Sequence, residues 1–238
     1  MIKILPNIFT TFNLFAGFYA IISVLNHDFF RAGWAILFAI VFDIFDGRIA
    51  RFLSVSSRFG LEYDSLSDLI SFGVAPSILM YEFALKQLDK VGWLVCFLYT
   101  ACVALRLARF NVTTDSAASY FKGLPSPAAA AIVAALVLFL NISKGTLRLN
   151  IHFFLVLMSF LAYLLISSIE YPSFKELKLK KGENFYFLVF FVLGLTFVSI
   201  NPPLSLLIIL GVYVLIGPFL VFKNGSSKII KRVIKKKQ

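Results

Sequence analysis

The chain has 238 residues, of which 60% are hydrophobic, and a formal net charge of +11. Soluble domains are about 45–50% apolar, so this composition excludes an ordinary water-soluble protein and indicates an integral membrane protein. The apolar runs are continuous and lack the alternation typical of an outer-membrane barrel, so we expect a helical protein.

Eight apolar stretches predict a single all-α bundle of about eight transmembrane helices. The membrane domain would occupy residues 1–222, with a basic cytoplasmic tail over 223–238. The Ala-rich fifth span, which begins at Pro125, should pack closely against its neighbours. The predicted spans are Asn7–Leu25, Phe30–Phe52, Asp64–Leu85, Gly92–Asn111, Pro125–Leu140, Ile151–Ile169, Phe185–Ile200 and Leu204–Phe222.

Basic residues are distributed unevenly between the two ends of these spans. An even number of spans places both termini on one side, and 18 of the 23 Lys and Arg residues fall on that side. The positive-inside rule therefore predicts cytoplasmic termini in a cell-membrane protein. Topology and anionic lipid explain the positive charge, so nucleic acid is not an expected partner. The tail is either a short interfacial helix or a disordered basic segment.

Four aspartates, Asp43, Asp46, Asp64 and Asp68, occupy the pattern D-x2-D-G-x2-A-R-x8-G-x3-D-x3-D. Each carboxylate in a membrane helix costs about 2.5–3.5 kcal/mol, so such groups must face a polar cavity. The first two aspartates are three residues apart and the last two are four apart, so each pair shares a helix face. A short connection makes the two helices antiparallel neighbours. The four carboxylates should therefore converge near the cytoplasmic surface.

Four like charges in one cleft require cations or protons, and oxygen ligands favour Mg²⁺ or Mn²⁺. His27 and His152 both fall on the opposite side of the membrane, so zinc is not expected.

Residues around the aspartates have the properties that a phosphate ligand needs. Gly47 and Ala50 lie on the Asp43 face and allow a ligand or helix to approach the backbone. Arg51 can hold a phosphate, and Gly60 leaves room at the start of the third helix. This combination favours metal-assisted phosphoryl transfer on a lipid head group.

The 26-residue pattern resembles, at every defined position, the signature of the CDP-alcohol phosphotransferase family of membrane enzymes. That resemblance implies two divalent ions held by Asp43, Asp46, Asp64 and Asp68, with Asp68 also the general base. It also implies that Gly47, Ala50, Arg51 and Ser57 contact the CDP group, and it suggests a homodimer packed through membrane helices.

Other segments resemble the phosphatidylserine synthases that use CDP-diacylglycerol, a subgroup of that family. Within residues 5–175, the resemblance implies a reaction of CDP-diacylglycerol with L-serine that gives phosphatidylserine and CMP. The segments are Leu5–Phe18, Leu69–Pro76, Arg106–Asn111, Phe121–Ala130 and Tyr171–Lys175.

Further polar residues are candidates for substrate contact. Asn7, Thr10 and Asn13 recur at three-residue steps in the first span, where they either line the nucleotide site or serve capping and helix–helix hydrogen bonding. Arg106 and Arg109 share a face, and one or both should hold the serine carboxylate or a phosphate, unless they are positive-inside anchors. Lys122 is a weaker candidate for the same role.

Two other functions remain open at the level of sequence. The first is the same chemistry with another alcohol, such as glycerol 3-phosphate, inositol or choline. The second is a divalent-cation or proton-coupled transporter, because intramembrane acids also mark transport pathways. Acids at one membrane face, without an evident inverted repeat of broken helices, disfavour transport.

Overall fold

The computed structural model describes residues 5–53, 57–112, 120–143, 149–172 and 201–235, together with Thr196. The predicted seventh span, Phe185–Ile200, lies outside these residues apart from Thr196. The helices are α1 (Leu5–Leu25), α2 (Phe29–Phe52), α3 (Arg58–Asp68), α4 (Ala75–Phe83), α5 (Lys90–Val112), α6 (Ser126–Ile142), α7 (Ile151–Ile166) and α8 (Pro202–Lys235).

Most predicted spans agree with these helices to within a few residues, and the third and the last differ most. The helix of the third span begins at Arg58 instead of Asp64, because the Ser57 side chain caps the N-terminus by accepting from the Gly60 backbone N–H at 2.9 Å. A π-helical segment, Leu69–Val74, then joins α3 to α4 without a break in the helix. α8 extends to Lys235, so the backbone of the predicted tail continues that helix as far as this residue.

Side chains of α5 support the π-helical segment. Pro76 has no N–H to donate to the carbonyl of Phe72, four residues earlier in the helix. The Tyr99 hydroxyl donates to that carbonyl at 3.1 Å, and the Thr100 hydroxyl donates to the Gly73 carbonyl at 3.3 Å. Interhelical hydrogen bonds therefore satisfy backbone groups at the point where the ordinary helical pattern is interrupted.

The core of the described bundle is centred on α6. Twelve of its residues are buried, mostly small or aliphatic, which confirms the close packing predicted for the Ala-rich span. α1 packs along α2, α2 and α8 pack against α6, and α5 packs against α7.

A short two-stranded ribbon connects the loops on either side of α6 and α7. Strands β1 (Tyr120–Lys122) and β2 (Glu170–Pro172) are antiparallel, with Phe121 opposite Tyr171. Apart from this pair, the regular structure of the described residues is helical, in agreement with the expected class.

Tyr171 of the ribbon also fixes α8. Pro218 lies inside α8 and has no N–H for the carbonyl of Val214, four residues earlier. The Tyr171 hydroxyl donates to that carbonyl at 3.1 Å. Gly217 allows this approach, since a Cβ at that position would fall on the Tyr171 ring. Tyr171 is completely buried in this contact.

Three helical segments are long and apolar enough to cross a membrane: Leu5–Leu25, Lys90–Val112 and Pro202–Phe219. Two further apolar helices, α6 and α7, are shorter. Large hydrophobic side chains, among them Phe15 and Phe97, are exposed on the outside of the bundle. Such an apolar exterior suits lipid, and the structure is that of a helical membrane protein.

Candidate active site

Three of the predicted metal ligands meet between α2 and α3. Asp43 on α2, with Asp64 and Asp68 on α3, place one carboxylate oxygen each within 4.8 Å of one another. Asp64 and Asp68 share a face of α3 because they are one helical turn apart. We call these three residues the acidic cluster.

The fourth predicted ligand, Asp46, lies beside the acidic cluster. It is buried, and its carboxyl group is within hydrogen-bonding reach of Asp64 and of the Thr10 side chain. Among the described residues, no donor reaches Oδ2 of Asp46 or Oδ1 of Asp64, although both atoms are buried. Adjacent buried carboxylates repel one another unless a cation or proton lies between them.

These unpartnered oxygens fit a divalent cation. The donor set consists of carboxylate oxygens, which hard ions such as Mg²⁺ and Mn²⁺ prefer over softer metals. An acidic cluster that could hold such an ion is therefore present where the sequence placed it.

The polar face of α1 lies against this site. The Asn13 side-chain amide donates from Nδ2 to Oδ1 of Asp68 at 2.9 Å, and both residues are buried. Thr10 is close to Asp46, whereas Asn7 lies nearer the start of α3. The structure therefore brings two of the three predicted α1 residues to the aspartates.

The residues predicted to contact CDP surround the end of α2 and the start of α3. Gly47 and Ala50 are partly buried in α2, and Arg51 is in its last turn, with a side chain outside the described set. Ser57 is exposed and caps α3, next to Gly60. A Cβ on Gly60 would be 3.2 Å from Oδ1 of Asn7, so little space remains between them.

The two predicted cations of α5 have different surroundings. Arg106 is within electrostatic reach of Asp68 and Asp43, and it donates from Nη1 to the Ser126 hydroxyl at 3.2 Å. Its Nε is buried without an acceptor in the described part of the chain. Arg106 therefore lies within electrostatic reach of the acidic cluster and carries an N–H that has no acceptor among the described residues.

Arg109 instead points to the end of α7, where Nη1 donates to the carbonyl of Ile166 at 3.2 Å. This contact satisfies a carbonyl in the last turn of a helix, where no helical N–H follows. Lys122 lies in β1, and its side chain is outside the described set.

Sequence reasoning missed several residues near this site. Tyr213 of α8 is within electrostatic reach of Arg106. Asn111 joins α5 to α3, because Nδ2 donates to Oε2 of Glu62 and Oδ1 accepts from the Ser65 hydroxyl, both at 3.1 Å. A tyrosine hydroxyl in an apolar helix needs a polar partner, so the sequence could have indicated that Tyr213 contacts a polar group.

The helical membrane fold, together with this acid-lined site, defines the class of protein. The family described as CDP-alcohol phosphatidyltransferase matches residues 3–166. The chain belongs to this family, which confirms the resemblance inferred from its aspartate pattern.

Curated relatives make the similarity more specific. A CDP-diacylglycerol–serine O-phosphatidyltransferase of Helicobacter pylori strain 26695 is 36% identical over 217 residues, which cover 89% of this chain and 88% of the relative. A protein with the same name from Bacillus subtilis strain 168 is 36% identical, covering 72% of this chain and 92% of the relative. One from Saccharomyces cerevisiae is 38% identical, covering 60% of this chain and 56% of the relative.

Proposed function

We propose that this protein is a metal-dependent CDP-diacylglycerol–serine O-phosphatidyltransferase. The reaction transfers a phosphatidyl group from CDP-diacylglycerol to the hydroxyl of L-serine and gives phosphatidylserine and CMP. The observation that carries the proposal is the acidic cluster with the buried Asp46 beside it, in a chain whose relatives bear this name.

In this proposal, Asp43, Asp46, Asp64 and Asp68 hold two divalent ions, Mg²⁺ or Mn²⁺. Bound there, the ions would neutralise charge on the diphosphate of the lipid donor and on the departing CMP. Gly47, Ala50, Arg51, Ser57 and Gly60 would line the CDP site together with Asn7 and Thr10, whereas Asn13, predicted for the same site, donates to Asp68.

Asp68 is the proposed general base. The serine oxygen attacks the phosphorus that carries diacylglycerol, and a new P–O bond forms as the P–O bond to CMP breaks. Asp68 accepts the proton of the serine hydroxyl, and CMP leaves with the electron pair of the broken P–O bond. The buried position of Asp68, with one oxygen held by Asn13, supports this role.

Arg106 is the proposed site for the serine carboxylate or a phosphate. Its Nε–H, which lacks an acceptor in the described part of the chain, and its electrostatic reach to Asp68 and Asp43 support this assignment. Because an arginine can bind a carboxylate through charge-assisted hydrogen bonds, loss of Arg106 should weaken acceptor or donor binding. Arg109 and Lys122 are proposed to contribute positive charge nearby.

We further propose eight membrane spans, cytoplasmic termini and an active site that faces the cytoplasm in a multi-pass cell-membrane protein. The support is the distribution of basic residues, 18 of 23 on one side, together with the apolar helices. A homodimer packed through membrane helices is part of the same proposal and rests on family resemblance.

The first experiment measures CMP release from CDP-diacylglycerol by the purified protein in detergent, with Mn²⁺ or Mg²⁺, with and without L-serine. The proposal expects serine-dependent release that EDTA abolishes. CMP release that requires a different alcohol would agree with the proposed metal site and would show that serine is not the acceptor. Absence of release with every acceptor, together with Mg²⁺ uptake into liposomes, would favour a transporter.

The general base has its own test in Asp68→Asn. The variant should lose nearly all turnover while the protein stays folded, and near-normal turnover with metal still bound would show that the base assignment is wrong. Asp89→Asn is a matched control, because Asp89 is exposed between α4 and α5 and asparagine accepts its positive φ of 52°.

A further inference from the structure

The contact between Asn13 and Asp68 assigns Asn13 a different task from contact with the nucleotide. Asn13 is completely buried, with 0% of its surface exposed, and Nδ2 donates to Oδ1 of Asp68 at 2.9 Å. A hydrogen bond to a charged acceptor is stronger than one between neutral groups. One oxygen of Asp68 is therefore fixed by the amide, which sets the direction of the other oxygen.

The Asn13 amide is only half satisfied. Its Oδ1 is buried and accepts no hydrogen bond from any described residue. A buried polar atom without a partner is destabilising, so an asparagine that only joined two helices would ordinarily have both ends of its amide bonded. The amide directs its N–H to Asp68 and leaves its own oxygen without a donor among the described residues. This arrangement is expected if the N–H positions the Asp68 carboxylate.

Two serine hydroxyls fix α1 against the helix that carries Asp68. Ser67 donates to the carbonyl of Thr10 at 3.0 Å, and Ser71 donates to the carbonyl of Asn13 at 2.9 Å. These serines precede and follow Asp68 in the chain, and all three are buried. The backbone of Asn13 is therefore held in register with Asp68 independently of the side-chain amide.

We infer that Asn13 is a positioning residue for Asp68, which orients the carboxylate of the proposed base through its amide N–H. The inference rests on the proposed function, because it takes Asp68 as the group that accepts the acceptor's proton. It predicts that Asn13 affects turnover more than binding of the nucleotide.

The test compares Asn13→Ala and Asn13→Asp with the wild type in the serine-dependent CMP-release assay. Alanine removes the donor, and we expect kcat to fall about 10- to 100-fold, the effect of one hydrogen bond to a charged group. The KM for CDP-diacylglycerol, and CMP binding measured calorimetrically with Mn²⁺, should change less than about threefold.

Asn13→Asp separates the two possible roles of the side chain. The variant keeps an oxygen acceptor of the same shape but replaces the N–H donor with a second carboxylate beside Asp68. If Asn13 orients Asp68 through its N–H, kcat of the aspartate variant should fall at least as far as in the alanine variant. Asn26→Ala is the control, since Asn26 is exposed just beyond the opposite end of α1, and it should match the wild type.

Two results would overturn the inference. An aspartate variant with near-normal kcat would mean that an oxygen, not the N–H, is needed. A raised KM for CDP-diacylglycerol at unchanged kcat in either variant would return Asn13 to the nucleotide site. If alanine prevents folding, the aspartate variant of equal size still decides between these roles. Failure of the proposed function would be distinguishable from failure of this inference, because the wild type itself would then release no CMP with serine.

Discussion

The hydrogen bond between Tyr171 and α8 allows a quantitative test of how the last helix is attached. Tyr171→Phe removes the hydroxyl that donates to the Val214 carbonyl and keeps the buried ring. Because Pro218 supplies no helical N–H, that carbonyl would be left buried without a donor. The cost of such a group is about 1–3 kcal/mol.

Pro218→Ala supplies the missing N–H, so it should remove most of that cost in the double variant. We would measure unfolding in mixed micelles with increasing SDS, for the wild type, both single variants and the double variant. The structure predicts a coupling free energy of about 1 kcal/mol or more between the two positions. Additive effects would show that Tyr171 does not replace the helical donor at Val214. Tyr163→Phe, at an exposed tyrosine of α7, is the matched control.

Three further predictions test the site and its supports. Mn²⁺ at about 100 times its dissociation constant should stabilise the fold by about 2.7 kcal/mol, which raises the melting temperature by roughly 5–10 °C, and EDTA should reverse the shift. Gly17→Ala should cost about 1–3 kcal/mol and lower kcat, because a Cβ on Gly17 would collide with the Ser71 side chain; unchanged melting and activity would contradict this packing. Arg106→Ala should raise the KM for serine or for CDP-diacylglycerol at least tenfold. Arg109→Ala should mainly lower the melting temperature, because it removes the hydrogen bond to the Ile166 carbonyl. Equal kinetic effects of the two variants would refute this distinction.

The sequence was informative where polar groups interrupt apolar helices. Because residues three or four apart share a helix face, the spacing of Asp43, Asp64 and Asp68 was enough to predict their convergence. The same spacing rule placed Arg106 and Arg109 on one face. It could not show that Arg106 contacts Ser126 while Arg109 extends to the end of α7, since those partners are distant in sequence.

The start of α3 and the π-helical segment were not predicted for different reasons. The stretch before Asp64 is too polar to read as part of a membrane span, and its helix depends on the cap at Ser57. The π-helical segment lies next to Pro76 and receives hydrogen bonds from α5, and neither feature belongs to the pattern of residues 69–74. The hydrogen bond from Tyr171 to α8 likewise joins residues that are far apart in the chain.

The bond from Tyr99 to the Phe72 carbonyl has a consequence for biosynthesis. A helix spanning residues 58–83 that entered the lipid alone would carry this carbonyl without the N–H that Pro76 lacks. Only the arrival of α5, which is synthesised later, supplies the hydroxyl. The segment bearing Asp64 and Asp68 therefore has this carbonyl bonded to the Tyr99 hydroxyl only once α5 has packed against it.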